Sequence, residues 1–165
     1  SRVDDTGDGF RLLIHSPEPP TRPDWCPVDG WLSKSIANSF YEYERYRFSL
    51  LANPTRKRVV RDATGQRKKN GRREAISKRE DLVDWIVRKA EQHGFSVDLD
   101  TLRTIPHPRQ SFLKKGMGGA HAATEFTGLL VVRDRETFRK AAVHGIGTAK
   151  AFGFGMLCLA PVTSA

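Results

Sequence analysis

The strongest constraint on this chain lies at Ser77, where a charged, turn-broken run gives way to a helix signal. Ser77-Lys78-Arg79-Glu80 fits a capping box, with Ser77 accepting from the Glu80 amide and the Glu80 carboxylate reaching back. Leu82, Trp85, Ile86 and Ala90 follow at helical spacing, and Gly94 stands where a left-handed residue ends a helix. The spacing predicts a helix over 78–93. On its N-terminal side, Tyr46, Phe48 and Leu50 alternate with Arg45, Arg47 and Ser49, the period of a half-buried strand. That strand stops at Asn53-Pro54, because proline lacks a ladder donor.

Beyond the helix, Phe95 to Leu102 reads as one strand and Ser111 to Leu113 begins another. The glycine-rich stretch from Lys114 to Ala123 reads as a hairpin tip, and Thr124 to Val132 as the returning strand. Asp134 caps a second helix with Phe138, Ala141 and Ala142 inward and His144-Gly145 at its end, and Met156 to Val162 is a final strand. From residue 44 the order is β-α-β-β-α-β, so the expected fold class is α+β with a ferredoxin-like domain over 44–165. Residues 1–43 offer one clear strand, Phe10 to His15, and a connector with Pro17, Pro19, Pro20 and Pro23. They are too few and too loop-like to bury a core, and read as the remnant of a larger N-terminal domain with its linker.

Charge narrows the partner. The chain has 28 Lys and Arg against 19 Asp and Glu, a net +9. Residues 56–79 hold eleven of the basic side chains and two acidic ones, which leaves the remaining chain neutral. One concentrated cationic segment on a neutral body points to a polyanion, and a solvated charged loop is the plain alternative. The longest uncharged stretch, Ala151 to Ala165, is too short and glycine-rich to span a bilayer. No apolar leader opens the chain, so a cytoplasmic location is expected, with no membrane partner. Cys26 and Cys158 cannot form a four-cysteine metal site, and two buried thiols fit better than a disulfide. HExxH, GxSxG, a Walker lysine motif and a paired-carboxylate signature are all missing. No metal and no small-molecule cofactor is therefore expected.

The densest motif runs from Gly145 to Leu157, with Gly145, Gly147, Gly153 and Gly155 around Lys150. Glycine lets a backbone approach another backbone or a phosphate, and a helix end easing into the last strand would use glycine equally well. Lys150 occupies the third-glycine place of GxGxxG, which weakens a nucleotide reading.

This segment resembles the C-terminal glycine-rich segment of repeat-RNA processing endoribonucleases of CRISPR systems, above all the CasE type of the Cascade complex. Pro23-Asp24-Trp25, Leu51-Ala52-Asn53-Pro54 and the capped helix around Trp85 agree with it in order, so the likeness covers nearly everything from Phe10 to Pro161. The resemblance implies two ferredoxin-like domains, the first incomplete here, with a basic cleft that grips a CRISPR repeat hairpin. It implies cleavage on the 3′ side of the stem without metal, by attack of the ribose 2′-OH on the adjacent phosphate. The products are a 2′,3′-cyclic phosphate and a 5′-OH, and the enzyme stays on its product among the Cascade subunits. The strand and helix that carry the family's catalytic histidine do not occur in this chain. His15, His93, His107, His121 and His144 do not match it, so no catalytic residue is assigned. The expectation for the chain alone is RNA binding with weak or no cleavage.

The expected RNA-binding residues are Arg67, Lys68, Lys69, Arg72 and Arg73 in the basic loop, Lys114 and Lys115 in the hairpin, and Lys150. The hairpin has fewer arginines than the family's. The aromatics of residues 40–48, and Trp25 and Trp85, read as core. A non-catalytic ferredoxin-like RNA-binding module is the second reading. A double-stranded-DNA binder comes last, since neither helix carries a basic face suited to the major groove.

Overall fold

The computed structural model describes residues 1–58, 65–66, 72–114 and 117–163. Its spine is the alternating strand β3 (Arg45–Ala52), in which Tyr46, Phe48 and Leu50 are buried. β3 pairs antiparallel with β8 (Met117–Val132) on one side and β9 (Leu157–Pro161) on the other. β6 (Phe95–Val97) extends the sheet beyond β8, giving the order β6-β8-β3-β9. Helix α1 (Arg79–Gln92) connects β3 to β6, and α2 (Arg135–His144) connects β8 to β9. Each helix thus crosses between two parallel strands with a third between them, the split βαβ topology of the ferredoxin-like fold. The apolar stripes of both helices close the core: Trp85 stacks on Phe126 with centroids 5.5 Å apart, and Phe138 meets Tyr46 and Phe95.

Several details depart from the sequence reading. Ser77 is not the helix cap; extended Lys78 is, and its side chain makes no capping bond. Glu80 and Asp81 in the first turn face the positive end of the helix dipole instead, while Gly94 is left-handed as expected. The strand expected to reach Leu102 ends at Val97. Asp98 pulls the chain into a turn, accepting from the Asp100 amide at its side chain and from the Thr101 hydroxyl at its carbonyl.

β7 (Arg103–Lys114) then forms one long antiparallel ladder with β8, so Met117 to Ala123 is paired strand and not hairpin tip. The register shifts between His107 and Gln110, around Pro108, which has no amide to donate. Glycine in the returning strand serves packing: a Cβ at Gly119 would run into the ring of its cross-strand partner Phe112.

Two small hairpins flank the main sheet. β1 (Arg2–Asp5), which sequence reading missed, pairs with β2 (Phe10–Leu13), and His15 falls just beyond β2. The basic segment is not simply a loop at its ends, since β4 (Thr55–Arg58) pairs with β5 (Arg72–Ala75). Trp85 is core as expected, whereas Trp25 is 73% exposed in a stretch without regular structure. Cys26 and Cys158 are free thiols.

Candidate nucleic-acid interface

Basic side chains from three distant parts of the sequence meet at one place. Arg73 on β5, Arg88 on α1 and Lys150 in the single turn Lys150–Phe152 each lie within electrostatic reach of Lys89 on α1. Burial, followed by the charges of Arg88, Arg73 and Lys150, holds the Lys89 ammonium below its ordinary value. His93 at the end of α1 is lowered in the same way, by burial and then by Lys89 and Lys150. Among the described residues none of these four cations is paired with a carboxylate, and like charges gathered without one favour a bound anion. Elsewhere on this hairpin Arg58 pairs with Glu74 at 2.9 Å, and Arg56 pairs with Asp81 of α1 at 3.2 Å.

Of the RNA-binding residues expected from sequence, Arg73 and Lys150 join this cluster. Arg67, Lys68, Lys69 and Lys115 lie outside the described residues, and Arg72 and Lys114 are placed by backbone alone, at the ends of β5 and β7. Arg88, Lys89 and His93 were missed. Their signal was present in the four-residue spacing of Lys89 and His93, which puts both on one side of a helix.

The glycines have a structural use of their own. All four have positive φ. A Cβ at Gly145 would lie 2.7 Å from the Gly155 oxygen, and one at Gly155 would lie 2.5 Å from the Ile146 oxygen. In this close approach the Ile146 amide donates to Gly155 at 2.7 Å and the Gly155 amide to Leu51 at 2.7 Å. The loop that presents Lys150 is thereby fastened to β3.

A second fastening runs through His121, in the ladder rather than at a hairpin tip. Its ring stacks on Phe112 at 4.6 Å and meets Phe152 at 4.8 Å, which joins the β7–β8 ladder to the turn that carries Lys150. The Asn53 amide nitrogen lies 3.1 Å from Nδ1, within hydrogen-bond distance. Nε2 is buried and has no hydrogen-bond partner among the described residues.

Four residues further along β8, Glu125 accepts from Arg2 at 2.8 Å and Ser49 at 2.6 Å, and lies 3.3 Å from His107 Nε2. These bonds and the Arg2 charge outweigh burial and hold the Glu125 carboxyl below its ordinary value. Among the described residues, no group of three or more His, Cys, Asp or Glu side chains could hold a metal ion. No described helix is long and apolar enough to cross a membrane.

Fold and site together define an α+β protein with a ferredoxin-like sheet and a cation cluster assembled beside a glycine-fastened loop. The chain belongs to the family described as CRISPR associated protein, which it matches over residues 2–161. It is 29% identical over 157 residues to the CRISPR-associated endoribonuclease Cse3 of Thermus thermophilus, covering 86% of this chain and 70% of that protein. It is 28% identical over 168 residues to the CRISPR system Cascade subunit CasE of Escherichia coli K12, covering 95% and 77%. Among solved structures it is similar to Cse3 bound to a 19-nucleotide RNA, with a TM-score of 0.65, 27% identity and coverage of 86% and 70%. Cas6e from Escherichia coli shares the fold, with a TM-score of 0.72, 24% identity and coverage of 98% and 83%.

Proposed function

We propose that this protein is an endoribonuclease that binds the hairpin of a CRISPR repeat in precursor RNA and cuts on the 3′ side of the stem. The observation that carries this is the family match along nearly the whole chain, joined to relatives whose names state endoribonuclease activity and Cascade membership. The convergence of Arg73, Arg88, Lys89 and Lys150 supplies a surface suited to backbone phosphates. Cleavage proceeds without metal: the ribose 2′-OH loses its proton and attacks the adjacent phosphate, the P–O5′ bond breaks, and O5′ takes up a proton. This leaves a 2′,3′-cyclic phosphate and a 5′-OH. The protein then remains on the mature guide RNA as a Cascade subunit, in the cytoplasm. In this reading residues 44–165 form the RNA-binding domain and 1–43 belong to the N-terminal domain and linker. Arg67, Lys68, Lys69, Arg72, Lys114 and Lys115 extend the phosphate-binding surface.

The test is incubation of the full-length protein with repeat RNA in EDTA. A product ending in a cyclic phosphate is expected. Failure to cut, or a requirement for magnesium, overturns the proposal, and binding without cutting supports a non-catalytic RNA-binding module in its place.

A further inference from the structure

The main sheet has a second face, turned away from both helices. Strand alternation directs Tyr46, Phe48 and Leu50 of β3 and Phe126 and Leu130 of β8 into the core with α1 and α2. Arg45, Arg47, Thr127, Leu129 and Val131 therefore point the other way. The register sets Arg47 between Leu129 on β8 and Ala160 on β9, and Arg45 beside Val131. Arg47, Thr127, Leu129 and Val162 line a hollow of about 410 Å³ here. Thr101 walls it, and its hydroxyl accepts from the Leu129 amide at 2.9 Å. The β1–β2 hairpin covers the neighbouring part of the face, where Arg2 donates to Ser49 and Glu125, and none of its residues lines the hollow.

We propose that this face docks a neighbouring protein subunit of Cascade, through a segment that carries carboxylates beside aliphatic side chains. The proposal rests on the Cascade reading above and adds the side of the sheet on which the protein neighbour sits.

Three observations select that occupant. The first is charge. Arg45 and Arg47 are exposed, and among the described residues neither takes part in an ion pair. Glu125, a carboxylate of the same face, is already engaged by Arg2. Unmatched guanidinium groups fit carboxylate or phosphate oxygens. The second is the floor, which chooses between those two. A four-stranded sheet that binds RNA on its face does so with aromatic side chains that stack on bases. The outward positions around the hollow hold none; Thr127, Leu129, Val131 and Ala160 are small or aliphatic. An apolar floor set with arginine is the composition of a protein interface. The third is place. Lys89 and the cations around it lie on α1, on β5 and in the turn after α2, away from this face. Phosphates and a protein neighbour thus meet opposite sides of one sheet and do not compete.

The experiment uses the full-length protein, guide RNA and the remaining Cascade subunits, with assembly followed by native mass spectrometry. Arg45→Glu combined with Arg47→Glu is expected to weaken entry into the complex about tenfold or more, because like charges facing each other are strongly disfavoured. Affinity for repeat RNA and its cutting should stay as in the wild type. A photo-reactive p-benzoylphenylalanine placed at exposed Ala160 is expected to cross-link to another subunit, at a peptide in which Asp or Glu adjoins aliphatic residues. Cross-linking to RNA, or to another segment of this same chain, overturns the proposal. A double variant that loses RNA binding as well has lost its fold, and the cross-link then decides. If the wild type and the double variant assemble equally, Cascade membership stands and the face assignment falls. If the wild type cuts repeat RNA and never joins the complex, Cascade membership falls and the proposal with it, while the endoribonuclease reading stands.

Discussion

Arg2 Nη2 donates to Glu125 Oε1 at 2.8 Å, tying β1 to β8 across 123 positions of sequence. Ser49 donates to the same oxygen from β3, and Asp4 accepts from Arg2 Nε at 2.5 Å. The small β1–β2 hairpin is thereby held against the main sheet by a largely buried charge pair, and losing either partner strands the other.

Glu125→Gln is therefore expected to lower unfolding stability by about 1.5–3 kcal/mol, the range for a hydrogen bond to a charged group. Urea unfolding measures the loss. Amide exchange at Val3 and Leu12 should quicken with it, and unchanged exchange there would show that other contacts hold the hairpin.

The same carboxylate sets a pH dependence. Its folded value lies below the ordinary 4.5, because the bonds from Ser49 and Arg2 and the Arg2 charge outweigh the upward push of burial. A depressed carboxyl contributes stability above the unfolded value and loses it as pH falls through the folded one. Stability is expected to hold from pH 7 to about 5 and to fall below 4.5. Exposed Asp134, lowered from its ordinary 3.8 chiefly by the Thr137 hydroxyl and amide, adds to the acid limb further down. Glu125→Gln should therefore flatten the acid limb of the wild-type curve without abolishing it. Superimposable limbs would remove Glu125 from the account.

Gly155→Ala places a methyl 2.5 Å from the Ile146 oxygen at φ +88°, where both the clash and the backbone oppose it. A cost of at least about 2 kcal/mol is expected. Gly118→Ala, with open space around its Cβ, should stay within about 0.5 kcal/mol. Thermal melts of the two variants give the comparison, and equal melting temperatures would contradict it.

Lys89→Met keeps most of the apolar stem and deletes a charge crowded by Arg73, Arg88 and Lys150. Stability should hold or rise slightly while RNA affinity drops and the salt slope shrinks by about 1. Filter binding at several salt concentrations decides this; undiminished affinity would place the RNA elsewhere.

His121→Ala removes the ring that bridges Phe112 and Phe152 and leaves the Asn53 amide without its partner. A loss of about 1–3 kcal/mol is expected in chemical unfolding. Faster amide exchange in the turn Lys150–Phe152 should accompany it, and a rigid turn would show that Gly155 alone holds the loop.

The order of elements could be read before any coordinates, because it rests on local periods. Alternation in Arg45–Ala52 and the stripe of Leu82, Trp85 and Ile86 name a strand and a helix whatever surrounds them. The ferredoxin-like order and the cationic segment followed from such signals. The pairing along β7 and β8 did not, because its prolines and glycines read as breaks until a partner strand supplies the register. β1 was equally invisible, a four-residue strand whose anchor is a glutamate on β8. The cluster of Arg73, Lys89 and Lys150 joins residues from three separate segments of the chain. Local sequence determined which segments were strand, helix and cation. Only packing, which brings sequence-distant side chains within a few ångströms, decided which of those charges share one surface.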